Sequence, residues 1–135
     1  MSDVMEKLLG FDRMAEFATV EQFELHLETL LGNGVYIFND GTRKFPIFGK
    51  ALVSRVKGLR IEIFPREHAP PHFHVRGGEI DASFSIEDGS LLQGSVDGRT
   101  QDLVEYWFLK AKPQLIEVWN ATRPSDCQVG PITAP

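Results

Sequence analysis

Between Leu59 and Val96 apolar residues recur at every second position, in stretches punctuated by glycines and prolines. Leu59, Ile61 and Ile63 alternate with Arg60 and Glu62. Phe73 and Val75 alternate with His72, His74 and Arg76, and Ile80, Ala82, Phe84 and Ile86 alternate with Glu79, Asp81, Ser83 and Ser85. Successive side chains of a strand face opposite sides, so this period of two dictates strands with one apolar and one polar face. Leu52, Ser54 and Val56 extend the alternation upstream, with Lys57-Gly58 as a two-residue turn into the next strand. Gly77-Gly78 and Glu87-Asp-Gly89 supply two further turns, the second leading into a strand over 90–96. An antiparallel meander follows. The segment 65–71, Pro-Arg-Glu-His-Ala-Pro-Pro, lacks the donors for a regular ladder and reads as a stiff, extended loop.

Helical spacing brackets the meander. Asp3 and Glu6 open a first helix whose apolar stripe is Val4, Met5, Leu8 and Leu9, ending at Gly10. A short helix or loop carries Phe11, Met14 and Phe17. Thr19-Val-Glu-Gln22 is a capping-box pattern, and Phe23, Leu27, Leu30 and Leu31 repeat behind it until Gly32-Asn-Gly34. His26 flanks that stripe and reads as a helix-surface residue. Val35–Phe38 and Phe45–Phe48 are short strands around an Asn39-Asp-Gly41 turn, the second placed at an edge by Pro46. After Asp97-Gly-Arg-Thr100, Leu103, Val104, Trp107, Phe108 and Ala111 form a broad apolar face. Pro113 is expected to break or kink it before Leu115, Ile116 and Trp119 resume the stripe. The fold class is α+β: N-terminal helices, an antiparallel meander and C-terminal helices on one sheet face. One globular unit spans 1–121, with 1–49 as an N-terminal extension, 50–121 as the core and 122–135 as a flexible tail.

The chain has 135 residues, 42% of them apolar, and no apolar run near the roughly 18 residues that span a bilayer. The opening Met-Ser-Asp-Val-Met-Glu is acidic and not a secretory signal. A single cysteine, Cys127, excludes an internal disulfide framework and a thiolate zinc cage. Together these imply a cytoplasmic protein with no membrane partner. A net charge of −5 argues against general nucleic-acid binding. The charge is segregated, however: residues 1–42 carry −6, residues 43–76 carry +6 and residues 77–135 carry −5. The basic segment is either a set of edge-blocking cations or an anion-binding face between acidic flanks.

The stretch His68-Ala-Pro-Pro-His72-Phe-His74-Val-Arg76 holds three of the four histidines within that basic segment. With Gly77-Gly78 as a two-residue loop, Arg76 faces Glu79, His74 faces Asp81 and His72 faces Ser83, while Phe73 faces Ala82 and Val75 faces Ile80. Asp81 would then orient His74 and favour its imidazolium form. Arg55 and Arg60 would face each other across the preceding hairpin, an unfavourable pair that an acid or a bound anion would relieve. The candidate site is therefore His72, His74 and His68 as acid–base groups, with Arg55, Arg60 and Arg76 as anion ligands. Histidines among cations suit metal-independent RNA cleavage. Three histidines could also ligate a transition metal, although the prolines between His68 and His72 restrict convergence. No nucleophile motif accompanies them, and no metal or cofactor is expected at this site. A non-catalytic protein-binding module is the competing reading, with Phe23, Leu27, Phe38 and Phe45 available for a homodimer surface.

The run Ser54-Arg-Val-Lys-Gly-Leu-Arg-Ile-Glu-Ile-Phe64, then Glu67-His-Ala-Pro-Pro-His-Phe-His-Val75, a glycine turn, an acidic alternating strand and Leu115-Ile-Glu-Val-Trp119 resemble a small bacterial family, domain of unknown function 4160. The resemblance spans roughly residues 50–121 and rests on His68, Pro70, Pro71, His72 and His74. It implies a cytosolic prokaryotic protein encoded beside another small protein, an arrangement read as a toxin–antitoxin-like or regulatory module. It names no reaction. The chain departs from the family pattern in its N-terminal extension of about 50 residues, and in Pro65-Arg66 where a small polar pair is usual.

Overall fold

The computed structural model describes residues 2–48, 59–63, 70–78 and 80–121. In chain order these form helix α1 (Ser2–Leu8), a 3-10 helix (Phe11–Glu16), helix α2 (Val20–Gly32), strands β1 (Val35–Asn39), β2 (Lys44–Phe48), β3 (Arg60–Glu62), β4 (His72–Gly77), β5 (Ile80–Ser85) and β6 (Leu91–Ser95), and helix α3 (Gly98–Ala121). Strands β1 and β2 make a separate antiparallel hairpin, and β3 to β6 make a four-stranded sheet in sequence order. The class is α+β, with helices before and after an antiparallel meander. The strand expected around Leu52–Val56, residues 65–69 of the extended loop and the tail after Ala121 lie outside the described residues.

The capping box forms as its sequence requires. The Gln22 N–H donates to Thr19 Oγ1 at 3.4 Å, and the Thr19 N–H donates to Gln22 Oε1 at 3.1 Å. Behind it Phe23, Leu27, Leu30 and Leu31 are all buried. They meet Phe73, Val75, Ala82 and Phe84 from the sheet and Leu103, Trp107, Phe108 and Trp119 from α3 in one apolar cluster. Helices α2 and α3 therefore share the Phe73 side of the sheet, and strand alternation sends His72, His74 and Arg76 to the other side. Arg99 joins the layers. Its guanidinium donates to Leu31 O (2.8 Å), Val35 O (2.9 Å) and Leu30 O (3.4 Å), closing the carbonyl end of α2 from the first turn of α3.

Three expectations need correction. Helix α3 is continuous through Pro113, so the chain ends its described part in one helix rather than two. Proline removes the N–H that would reach the carbonyl of Leu109, which sits on a solvent-exposed residue, while Ala111, Leu115 and Ile116 on either side stay buried. On α1 the anticipated stripe divides: Val4 and Leu8 are exposed, and Glu6 instead contacts the Tyr106 hydroxyl and the Lys110 ammonium (3.0 Å) of α3. Burial raises the Glu6 pKa, but those two donors outweigh it and leave the carboxyl below its ordinary value.

His26 is not a surface histidine. Its Nε2 lies 2.7 Å from Leu9 O, its Nδ1 accepts from Trp107 Nε1 at 3.2 Å, and Phe11 and Phe17 meet its ring edge-on. An indole N–H can only donate, so Nδ1 carries no proton and Nε2–H donates to the carbonyl. The ring is held neutral. Desolvation lowers its pKa, with the Leu9 carbonyl opposing. A depressed histidine pKa means that the unfolded chain takes up the proton first. Stability is therefore complete above the ordinary value of about 6.5 and is lost as pH falls below it. The melting midpoint is expected to drop between pH 7.5 and 5.5, and His26→Gln is expected to flatten that slope. An equal slope in the variant would remove His26 as its cause.

Candidate functional site

The polar face of the sheet is built row by row from cross-strand neighbours. Glu62 faces His74, His74 faces Ser83, and Ser83 faces Gln93. In the adjacent row Arg60 faces Arg76, Arg76 faces Asp81, and Asp81 faces Ser95. His72 faces Ser85 beyond the other end. Ten polar side chains on four strands thus tile one face, while the intervening residues of β3, β4 and β5 fill the core.

The register between β4 and β5 differs by two residues from the one expected. Gly77 pairs with Ile80, so it ends the strand, and Gly78 begins the turn with φ 58°. A displacement of two preserves which face each side chain takes but changes every partner. Phe73 meets Phe84 and Val75 meets Ala82 on the buried side. Asp81 does not orient His74. It pairs with Arg76, Nε to Oδ1 3.3 Å, and the neighbour of His74 is Ser83, whose Oγ lies 3.1 Å from Nδ1. Ser83 is the residue that sequence reasoning missed. Only the correct turn would have revealed it.

The two histidines differ in setting. His72 is 3% exposed, and its Nδ1 lies 2.7 Å from Pro70 O. A carbonyl can only accept, so Nδ1 carries the proton and Nε2 is the basic atom. His74 is half-buried, and the two rings stand edge-to-face with centroids 4.9 Å apart. His74, Arg76, Asp81, Ser83, Gln93 and Gly94 line a depression of about 250 Å³. Its floor is tight at Gly94, where φ is 81° and a Cβ would fall 2.1 Å from Asp81 O, so only glycine lets β6 approach β5 here.

The arginines are not a bare cationic field. Arg60 Nε lies 3.4 Å from Glu24 Oε2 on α2, and Arg76 NH1 lies 3.4 Å from Glu62 Oε1. The second contact is an ion pair without hydrogen-bond geometry, since the buried Glu62 Oε1 accepts no hydrogen bond from the described residues. Intramolecular carboxylates thus relieve the Arg60–Arg76 pair that the register of β3 and β4 creates, whereas the expected Arg55–Arg60 pair involves a residue outside the described ones. His68 and Arg55 lie outside the described residues, so the site contains His72, His74, Arg60, Arg76 and Asp81 of those anticipated. Among the described residues no three His, Cys, Asp or Glu side chains converge as metal ligands. Of the proposed dimer surface, Phe23 and Leu27 are wholly buried in the core and Phe38 is 47% exposed. No described helix is long and apolar enough to cross a membrane.

No curated protein and no solved structure matches this chain. A family model does: it covers residues 58–120, which include β3, the whole histidine strand, the polar face and nearly all of α3, while α1, α2, β1 and β2 precede it. Over that segment, a little under half of its length, the chain is similar to the family described as Domain of unknown function (DUF4160).

Proposed function

We propose that this is a cytoplasmic bacterial protein of a toxin–antitoxin-like or regulatory module, and that it works by docking a protein partner on the polar face of β3 to β6. One observation carries the reading. The described cations of that face, Arg60 and Arg76, already face carboxylates of the same chain. A polyanion binds by releasing counterions from uncompensated cations, whereas mixed donors and acceptors in register suit a protein surface of complementary polarity. The product of a neighbouring gene is the natural first partner. Co-expression is expected to yield a stable heteromer, and His74→Ala/Arg76→Ala is expected to weaken it by about tenfold or more. Absence of any complex, together with salt-sensitive binding of single-stranded RNA at low ionic strength, would overturn the reading.

The edge-to-face contact of His72 and His74 favours a second reading, metal-independent RNA cleavage by an acid–base pair. In that reading the 2′-oxygen attacks the phosphorus as one histidine takes its proton, and the P–O5′ bond breaks as the other histidine, protonated, donates its proton to the leaving 5′-oxygen. Cleavage that survives removal of divalent ions and disappears in both His72→Ala and His74→Ala would select it. Unchanged RNA after prolonged incubation would dismiss it.

A further inference from the structure

The two edges of the four-stranded sheet are finished differently. Outside β3, the N–H groups of Leu59 and Ile61 donate to the carboxylates of Glu28 (3.2 Å) and Glu24 (3.0 Å), which α2 holds against the strand. That edge is closed to further pairing. Strand β6 has β5 on one side and, among the described residues, no strand on the other. Leu92, Gln93, Gly94 and Ser95 are all exposed. The strand Leu91-Leu-Gln-Gly-Ser95 holds no charge and no proline, two of the devices that blunt an edge; its register against β5 shifts between Ser83 and Phe84, and Gly94 sits at φ 81°, so the exposed edge is short and locally irregular.

We propose that β6 pairs antiparallel with β6 of a second copy of this chain, joining two sheets into one of eight strands about a two-fold axis at Gln93. A two-fold axis sets a residue against its own copy, so any charge near it would be repelled by its twin. This strand has none. Centred on Gln93, the pairing sets Leu91 against Ser95 and Leu92 against Gly94, so the 39%-exposed leucine meets the residue without a side chain. Gln93 meets Gln93, and a carboxamide is both donor and acceptor, which lets the pair satisfy itself. The row Glu62–His74–Ser83–Gln93 then continues through the axis into the same row reversed, placing two copies of the polar face on one surface. A five-residue ladder is small beside stable protein interfaces, so association should be weak, with a dissociation constant on the order of 100 µM.

Sedimentation equilibrium of the full chain from about 10 µM to 1 mM tests this, with concentration-dependent amide shifts as the residue-level readout. The expected result is a reversible monomer–dimer equilibrium with shifts concentrated at Leu91–Ser95. Gln93→Lys and Gln93→Glu are each expected to weaken self-association by about tenfold, and an equimolar mixture of the two is expected to restore it. Circular dichroism melting of each variant shows whether its fold is intact. Monomer throughout the range overturns the proposal, as does a dimer that folded Gln93→Lys leaves unchanged. A wild-type dimer that the charge-paired mixture fails to recover puts the axis elsewhere and overturns it equally. None of these outcomes depends on a heterologous partner, so they stand apart from the docking reading above.

Discussion

Phe73→Ala is expected to cost about 3–5 kcal/mol of folding stability, the usual penalty for emptying a buried phenylalanine site. A domain of this size holds about 5–15 kcal/mol in total, so the variant sits near the edge of folding. Phe73 is wholly buried at the point where the layers meet. Its ring lies parallel to Phe84 and to Phe108, with centroids at 5.7 and 6.0 Å, and Trp107 stands 6.3 Å away. Removing it takes one ring out of a sheet-to-helix stack whose other members come from β5 and α3. Those neighbours are fixed on opposite sides and cannot both collapse inward, so a cavity remains. Phe73 also lies between His72 and His74 in sequence. A loosened strand would therefore lose the polar row with the core, and partner binding should fall together with stability. Phe73→Leu, which retains most of the volume, should cost less. Urea unfolding that places Phe73→Ala within about 1 kcal/mol of the parent would show that this stack is not the centre of the fold.

Alternation carried most of what the sequence could say about this region. Phe73, Val75, Ala82 and Phe84 turn inward and His72, His74 and Arg76 turn away, because a period of two leaves a half-buried strand no other arrangement. Partner identity was not legible to the same degree. Gly77-Gly78 and Gly78-Glu79 are both acceptable two-residue turns, and both keep Phe73 inside, so burial cannot choose between them. The choice decides whether His74 meets a carboxylate or a hydroxyl. His26 was misread for another reason: a histidine beside an apolar stripe looks the same in sequence whether it faces water or an indole contributed from 81 residues away. At Pro113 the helix is not broken, because tertiary contacts hold α3 on both sides of it, and local propensity alone does not show them. The seal that Glu24 and Glu28 place on β3 had no local signal either, since carboxylates on a helix most often face solvent.

Arg99→Ala is the second large effect, expected at about 2–4 kcal/mol from the loss of charge-assisted hydrogen bonds to backbone carbonyls. The guanidinium reaches Leu30 O, Leu31 O and Val35 O while its plane lies 5.0 Å from the Tyr36 ring centroid. The carbonyls of Leu30 and Leu31 belong to the last turn of α2, which has no basic residue of its own. A cation there offsets the negative end of the helix dipole as well as satisfying the acceptors. Alanine would leave these carbonyls to be hydrated or orphaned where α2, β1 and α3 meet. Asp97, whose Oδ1 accepts from the Thr100 N–H at 2.6 Å, fixes the turn that aims Arg99, so the two residues act on the same joint. Arg99→Lys keeps the charge but replaces a planar fork with a single ammonium, which cannot span three acceptors in the same geometry. It should recover only part of the loss. Chemical denaturation of the three proteins orders them as wild type, Arg99→Lys and Arg99→Ala, with Arg99→Ala also losing protection of the Asn33 amide, which donates to Thr29 O at 3.1 Å in that same last turn. An Arg99→Lys variant as stable as wild type would mean that charge alone holds the joint. An Arg99→Ala variant within about 0.5 kcal/mol of wild type would mean that water replaces the guanidinium at no cost.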